Sequence, residues 1–192
     1  MYLITQMLNG LGAGSIYALI ALGYSMVYGV VKLINFAHGD IIMVGSYMIF
    51  LTLGSGQPLW VAVLVSISFS AIMGVLIEQI AYRRLLNSGA PRIALLITAI
   101  GASIFLQNLA QLVFGANQKS MPKMFQLPAI RIGDMNVSNT LLNIIVAFIM
   151  MAFLQVLIHA TKTGKAMRAT SEDSGAAQLM GININRIIIF TF

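Results

Sequence analysis

Long stretches without a charged side chain are the feature that most limits what this chain can fold into. Asp, Glu, Lys and Arg are absent from residues 1–31, 41–77, 93–118 and 135–158. A helix needs about 20 apolar residues to cross the hydrocarbon core of a bilayer. The second stretch is too long for one span, and "GSGQP" in its middle has the composition of a turn. The pattern therefore predicts several membrane-spanning helices.

We predict an all-α fold, a polytopic transmembrane helical bundle that forms a single domain over residues 1–192. Five complete spans are expected, at residues 9–31, 36–53, 59–81, 93–114 and 140–160. Residues 187–192 look like the start of a sixth span, so we expect a C-terminal part beyond this sequence. Only 8% of the residues are charged, against about a quarter in soluble domains, which agrees with a membrane protein.

The basic residues indicate which loops face the cytoplasm. The chain carries a net charge of +6, and eight of its eleven basic residues are Lys32 or lie in the loops 82–92 and 161–186. Because cytoplasmic loops are rich in Lys and Arg, both loops are predicted to be cytoplasmic. With five spans the N-terminus is then outside, unless residues 33–40 form a re-entrant break. No basic face on a soluble module is present, which argues against nucleic-acid binding.

The segment "LINFAHGD", residues 33–40, carries polar groups between two apolar runs. Asn35, His38 and Asp40 are costly in hydrocarbon and should face protein, water or the interface. Gly39 allows backbone geometry that other residues resist. Broken helices at membrane depth line cavities or are covered by protein, and in transporters their ends meet charged groups of the solute. One interpretation is therefore a position on a substrate path, with an amino-acid zwitterion as a suitable guest.

Other interpretations of this segment stay open. The segment can be a cytoplasmic turn anchored by Lys32, or Asn35 can cap the next helix. His38 and Asp40 can also form a proton relay. The sequence offers no set of nucleophile, base and orienting residue and no cluster of metal ligands, so we predict that the chain is not an enzyme.

A second polar patch, Gln107, Asn108 and Gln111, lies in the predicted span 93–114. Gln107 and Gln111 are one turn apart and share a helix face. They can hydrogen-bond to a neighbouring helix, or they can touch a solute, in which case Gln107 and Asn108 join the predicted path. Glu78, near the inner end of the third span, is expected to pair with the arginines that follow one turn later.

The loop 161–186 is the largest predicted cytoplasmic segment. Thr170 and Asp173 have the spacing of a capping box, although Asp replaces the usual Glu or Gln. The run "SGAAQLMG" then predicts a short helix that stops at Gly181. Such a helix suits docking into a groove on another protein. The alternative, a helix resting on lipid headgroups, fits poorly with the acidic Glu172 and Asp173.

Several longer segments together resemble one family. They are "GSIYALIALGYSMVYGVVKLINFAHGDIIMVGSY", "IEQIAYRRLL", "LITAIGASIFLQNLAQLVFG" and "TGKAMRATSEDSGAAQLMGININRIIIFTF". In order and spacing they resemble the permease subunits of branched-chain amino acid ABC importers, and within that family the H-type (LivH-type) subunit. The resemblance covers nearly the whole chain.

This resemblance implies one subunit of an ATP-driven importer for leucine, isoleucine and valine. Its partners would be a second permease subunit, two cytoplasmic ATP-binding subunits and an external solute-binding protein. The chain would sit in the bacterial plasma (inner) membrane as a multi-pass protein. It would need no cofactor of its own, because ATP would be bound by the partner subunits. In agreement, the sequence has no G-x-x-x-x-G-K-[ST] loop.

The resemblance also implies a coupling loop at residues 161–186 that docks into the ATPase. In ABC importers such a loop has the pattern Glu-Ala-Ala-x-x-x-Gly, but here Gly175 occupies the glutamate position. Glu172 or Asp173 can supply the missing charge. The predicted coupling residues are Gly164, Arg168, Glu172, Asp173, Ala176, Ala177 and Gly181.

Three alternative functions remain at this stage. The same architecture can import urea, short amides or other amino acids, and no sequence feature discriminates among these solutes. The chain can also be a stand-alone, proton-coupled secondary transporter that uses His38 and Asp40, although the docking loop argues against it. A purely structural membrane scaffold would leave solute uptake intact when the chain is lost.

Overall fold

The computed structural model describes residues 2–121, 131–132, 135–136 and 138–192. Most of these residues are helical, and two short strands, β1 and β2, pair antiparallel. The elements are α1 (Tyr2–Val31), α2 (His38–Gly54), α3 (Leu59–Ile77), a π-helical turn (Glu78–Tyr82), α4 (Arg83–Asn87), α5 (Arg92–Phe114), β1 (Arg131–Ile132), β2 (Met135–Asn136), α6 (Ser138–Ala160), α7 (Lys162–Glu172), α8 (Ser174–Leu179) and α9 (Ile184–Thr191). The predicted all-α, polytopic class is confirmed.

Each predicted span corresponds to a helix. Within the described residues, four helical stretches are long and apolar enough to cross a membrane: Leu3–Val31, Leu59–Asn87, Ile93–Phe114 and Thr140–Ala160. The second predicted span is the shorter apolar helix His38–Gly54. The chain is therefore a multi-pass membrane protein.

Two predicted boundaries were wrong. The first helix begins at Tyr2 rather than at residue 9, because uncharged residues let it extend toward the N-terminus. The third continues through the π-helical turn into α4 and ends at Asn87. Much of the predicted loop 82–92 is therefore helical, since continuing the helix keeps its backbone groups hydrogen-bonded.

The described residues fall into two compact units. One lies within residues 1–26 and 125–182, and the other within residues 27–124 and 183–192. The single domain predicted from the sequence stays a prediction, and each unit is considered by itself below.

The unit of residues 27–124 and 183–192 has a continuous apolar core. Its buried members are Leu33, Ala37, Ile41, Ile77, Tyr82, Leu95, Ala99 and Leu106. Here α2 packs closely on α3, where Ser66 Oγ donates a hydrogen bond of 2.9 Å to the carbonyl of Gly45. A Cβ atom on Gly45 would lie only 2.6 Å from Ser70 Oγ and 3.1 Å from Ser66 Oγ. The absence of a side chain at residue 45 thus permits this contact.

In the unit of residues 1–26 and 125–182, the first half of α1 packs on the start of α6. Thr140 Oγ1 donates to Asn9 Oδ1 at 3.4 Å. A Cβ atom on Gly12 would lie 2.7 Å from Thr140 Cγ2. A small residue at position 12 therefore lets the two helices approach, as small residues do between membrane helices.

Replacing Gly45 by Val tests the α2–α3 contact. We expect a loss of about 1–3 kcal/mol from overpacking, or roughly 2–10 °C in melting temperature, in a thermal unfolding measurement in detergent. The control is Gly101→Val, because a Cβ atom on Gly101 meets nothing within 4 Å. Equal melting temperatures for both variants would contradict the close packing at Gly45.

Candidate functional site

The helix break between α1 and α2 is the centre of the candidate site. After Val31 the chain turns at Lys32, which has a positive φ of 57°, and residues 33–37 are not helical before α2 begins at His38. Side chains then alternate between buried and exposed along the segment from Leu33 to Ala37. The segment therefore packs one edge into the core of its unit rather than lying on the surface.

Asn35 fixes the conformation of this break. It is 2% exposed, and its Oδ1 accepts hydrogen bonds from the backbone N–H of Ala37 at 3.1 Å and from the hydroxyl of Tyr82 at 3.0 Å. Its own carbonyl accepts from the N–H of His38 at 3.1 Å. Asn35 thus closes a turn ahead of α2. The interpretation of Asn35 as the N-cap was wrong, because Ala37 occupies that position.

Asp40 lies in the first turn of α2 and is 6% exposed. Its Oδ1 accepts a hydrogen bond of 3.1 Å from Gln107 Nε2. An acidic side chain is favourable at this end of a helix, where the backbone N–H groups carry partial positive charge. Two predicted path residues that are far apart in sequence therefore meet in the folded chain.

The contact with Gln107 also gives the position of the break along α5. Gln107 lies about four turns along α5 from Arg92, or about 22 Å at 1.5 Å per residue. Its neighbours belong to the apolar helix Ile93–Phe114. Asp40 is consequently level with the interior of a membrane-length helix, and a surface turn does not describe this part of the segment.

Two buried polar atoms at the break have no hydrogen-bond partner among the described residues. They are Asn35 Nδ2 and Asp40 Oδ2. A buried polar group without a partner costs roughly 1–3 kcal/mol. The arrangement therefore leaves one donor and one acceptor for water or for a polar solute.

The other predicted path residues lie nearby in sequence but differ in environment. His38 is partly buried, whereas Gly39 is exposed, at the start of α2. Asn108 is exposed, and its Nδ2 donates to the carbonyl of Ile104 at 2.7 Å, one turn back on the same helix. Asn108 is therefore not brought together with Asp40 and Gln107.

Sequence reasoning missed Tyr82 and the π-helical turn that holds it. In this turn the N–H of Arg83 bonds to the carbonyl of Glu78, five residues earlier. The Arg83 guanidinium also donates to both carboxylate oxygens of Glu78, at 3.3 and 3.1 Å, which confirms the predicted ion pair. Glu78 is 2% exposed. A π-helical turn depends on packing and has no sequence signature that could have revealed it.

In the other unit, the corner between α6 and α7 is tightly built. The side chain of Thr161 caps α7 by accepting from the N–H of Gly164 at 3.0 Å. A Cβ atom on Gly164 would collide with the carbonyls of Leu157 and Ile158 at the end of α6. Arg168 donates to the same Ile158 carbonyl, as basic side chains do at helix C-termini. Gly164 and Arg168 thus join α7 to α6.

The helix predicted at "SGAAQLMG" is present as α8. Its N-cap is Asp173, whose Oδ1 accepts from the N–H groups of Gly175 at 2.8 Å and Ala176 at 3.0 Å. Thr170 is an interior residue of α7 that donates to the carbonyl of Ala166. The predicted capping box was therefore wrong, because α7 ends at Glu172, between its two members, and Asp173 is the N-cap of the next helix.

The end of α8 is as predicted. Gly181 has a positive φ of 84°, and its N–H bonds to the carbonyl of Gln178 while the N–H of Ile182 bonds to the carbonyl of Ala177. These two bonds form a Schellman motif, which favours glycine at this position. Ala177 is 4% exposed and packs inward, whereas Leu179 and Met180 are 90% and 85% exposed. Two large apolar side chains therefore project from the end of α8.

A multi-pass helical bundle with a buried polar break resembles the broken-helix architecture of membrane transporters. The chain belongs to the family described as branched-chain amino acid transport system, permease component, whose model matches residues 6–192. The resemblance to H-type permease subunits is confirmed.

Curated relatives agree with this assignment. The whole chain is 39% identical to the high-affinity branched-chain amino acid transport system permease protein LivH of Salmonella typhimurium and 38% identical to LivH of Escherichia coli. Over 97% of its length it is 39% identical to the corresponding protein BraD of Pseudomonas aeruginosa. The chain spans 65–66% of the length of these relatives. No solved structure matches the chain.

Tyr82→Phe tests the hydrogen bond that secures the break. Removing the hydroxyl leaves Asn35 Oδ1 with one donor, so we expect a loss of about 1 kcal/mol and a drop of roughly 2–4 °C in melting temperature. Tyr28→Phe is the matched control, because Tyr28 is 52% exposed. Identical unfolding curves for Tyr82→Phe and the unaltered protein would contradict the role of this bond.

Proposed function

We propose that the chain is a membrane-spanning permease subunit of an ATP-driven importer for branched-chain amino acids. Membership of the permease family and the names of the curated relatives support this class of solute. The segment α7–α8 is the structural observation that carries the proposal. α8 follows the membrane-length helix α6 in sequence and exposes the apolar side chains of Leu179 and Met180. A transporter that works without partner subunits does not require such a helix.

The coupling loop at residues 161–186 docks into a cytoplasmic ATPase through the end of α8. Leu179 and Met180 supply the apolar contact, because exposed side chains of this size bury well in a groove on a partner. Ala176 and Glu172 are exposed as well. Asp173 is engaged as the N-cap, so Glu172 is the better candidate for the charge that the family pattern carries at the position of Gly175.

ATPase movement reaches the membrane through the α6–α7 corner. Gly164 packs against the end of α6, and Arg168 bonds to its last turn. A displacement of α8 is therefore passed to α6 by contacts that resist bending. Rigid-body transmission of this kind underlies many switches between two conformations.

The translocation path runs along the helix break. We assign to it Asn35, His38, Gly39, Asp40 and Gln107, whereas Asn108 bonds to its own helix and is left out. Asn35 Nδ2 and Asp40 Oδ2, which have no partner in the described part of the chain, offer a donor and an acceptor, which is what a zwitterion requires. Weak binding is sufficient here, since a translocated solute must also leave.

The proposal includes the partners and the location of the complex. They are a second permease subunit, two cytoplasmic ATP-binding subunits and an external solute-binding protein, in the bacterial inner membrane. ATP is bound and hydrolysed by the partner ATPases, so this chain performs no chemistry and holds no cofactor of its own.

Changing both exposed residues of α8 to aspartate tests docking. The double variant Leu179→Asp/Met180→Asp places two charges where an apolar contact is proposed, so we expect the ATPase subunits recovered with the purified full-length chain to fall at least about tenfold, a cost of about 1.4 kcal/mol. The matched control exchanges the two residues, Leu179→Met/Met180→Leu, and keeps the apolar surface. Full recovery of the ATPases with the aspartate variant would remove the docking assignment.

Asp40→Asn tests the path. This change preserves the shape of the side chain and an acceptor for Gln107, but it removes the carboxylate. We expect ATP-driven leucine uptake by the reconstituted complex to fall about tenfold or more, because a hydrogen bond to a charged group contributes about 1.5–3 kcal/mol. An unchanged melting temperature serves as the control for folding. Uptake kinetics equal to those of the unaltered complex would exclude Asp40 from the path.

A further inference from the structure

A pocket of about 580 Å³ lies beside the helix break, between α2 and α5. Its lining comes from these two helices and from residues 115–119 and Met121, all within the unit of residues 27–124 and 183–192. This volume is in the range of about 300–1,000 Å³ that small-molecule sites occupy. Gln107 belongs both to the pocket and to the contact with Asp40, so the pocket adjoins the proposed path.

One side of the pocket is apolar and rigid. Met43, Phe50 and Ala110 contribute aliphatic and aromatic surface. The ring of Tyr47 also lines the pocket and stacks on Phe114, with centroids 4.1 Å apart and an angle of 8° between the planes. This stack ties α2 to α5 at the wall, which therefore suits a branched aliphatic side chain.

A second side offers hydrogen-bond acceptors. The amide nitrogen of Gln107 donates to Asp40 Oδ1 and to Ser103 Oγ, both at 3.1 Å. Both amide hydrogens are thus used, and the carbonyl oxygen Oε1 is the remaining polar atom of this side chain. Ser46 donates its hydroxyl hydrogen to the carbonyl of Ile42 at 2.9 Å, which leaves its oxygen as an acceptor. Gln107 Oε1 and Ser46 Oγ are therefore both acceptors, and they favour a ligand that donates several hydrogen bonds.

The chain after α5 contributes a cation. Gly115 has a positive φ of 82°, so the backbone turns sharply at the end of α5, and Lys119 follows among the lining residues. An ammonium group on a flexible stem can reach an anionic group of a ligand. The pocket thus combines a cation, a set of acceptors and an apolar wall.

We propose that this pocket is a binding site for the zwitterion of an aliphatic amino acid. The ligand ammonium donates to Gln107 Oε1 and Ser46 Oγ, the ligand carboxylate pairs with Lys119, and the side chain lies on Met43 and Tyr47. The choice of solute rests on the proposed function. Because Gln107 also holds Asp40, a solute in this pocket is one side chain away from the buried carboxylate at the helix break.

Site-directed thiol labelling tests the pocket directly. Residues 1–192 contain no cysteine, so Ser46→Cys introduces a single thiol, and its modification is followed by mass spectrometry of the peptide that contains it. The measurement uses the complex with its ATPases in nanodiscs, without the external binding protein. The control is Ser88→Cys, an exposed residue at the end of α4 that does not line the pocket.

We expect leucine to slow labelling at residue 46 and to leave labelling at residue 88 unchanged. Two analogues each lack one charged group: 3-methylbutylamine lacks the carboxylate and 4-methylpentanoate lacks the ammonium. Each should require a concentration about tenfold higher than leucine for half protection of residue 46, because each loses one charged contact worth about that factor. An equal rate of labelling at residue 46 with and without leucine would overturn the proposal. Equal protection by leucine and both analogues would also overturn it, because the pocket would then be a merely apolar cavity.

Lys119→Met in the Ser46→Cys background separates the proposed contact from a general loss of structure. We expect half protection by leucine to need about tenfold more ligand, while protection by 3-methylbutylamine stays the same. A parallel change for both ligands would contradict the assigned role of Lys119. ATP-driven leucine uptake is measured with the same purified complex in proteoliposomes, in the presence of the external solute-binding protein. If the complex takes up leucine but leucine does not protect residue 46 from labelling, the pocket proposal is wrong and the proposed function stands. If leucine protects residue 46 but uptake does not require ATP, the proposed function is wrong and the pocket stands.

Discussion

The structure around the helix break depends on one constraint, which is that polar groups inside an apolar bundle must find partners within the protein. Residues 33–37 interrupt the helical hydrogen bonding, and Asn35 meets part of the cost through Ala37 and Tyr82. Asp40 does the same through Gln107. The first pair joins the break to the π-helical turn and the second joins α2 to α5, so they also contribute to how these elements pack. Asn35 Nδ2 and Asp40 Oδ2, the buried side-chain atoms that find no partner within the described ranges, lie at the same break.

Two other features support this arrangement. The ion pair between Glu78 and Arg83 stabilises the π-helical turn, and the turn carries Tyr82 to Asn35. Tyr82 is 1% exposed, and its ring also contacts that of Phe192, with centroids 5.1 Å apart. In the other unit, Gly164 and Arg168 join α7 to the end of α6. The proposed coupling requires a corner of this kind, because contacts between α7 and α6 can pass on a movement of α8.

Local chemistry made much of the fold predictable. Uncharged stretches of sufficient length predicted the four membrane-length helices among the described residues, and Gly181 predicted the end of α8 because its conformation favours glycine. The hydrogen-bonded pairs at the site could not be predicted from local sequence patterns, because Asn35 and Tyr82 are 47 residues apart and Asp40 and Gln107 are 67 residues apart. Helical continuation through the basic residues Arg83 and Arg84 was missed for a related reason. The ion pair between Glu78 and Arg83 was predicted, but the π-helical turn through which the helix continues depends on packing and was not.

The proposal that this permease works as part of an ATP-driven importer is tested most directly by reconstitution. The full-length chain would be placed in proteoliposomes with the second permease subunit, the ATPases and the solute-binding protein, and leucine uptake would be followed with and without ATP. The account predicts accumulation that requires ATP and persists when a protonophore collapses the proton gradient. Uptake by the chain alone, driven by a proton gradient without ATP, would contradict it and would indicate a self-contained transporter that uses His38 and Asp40.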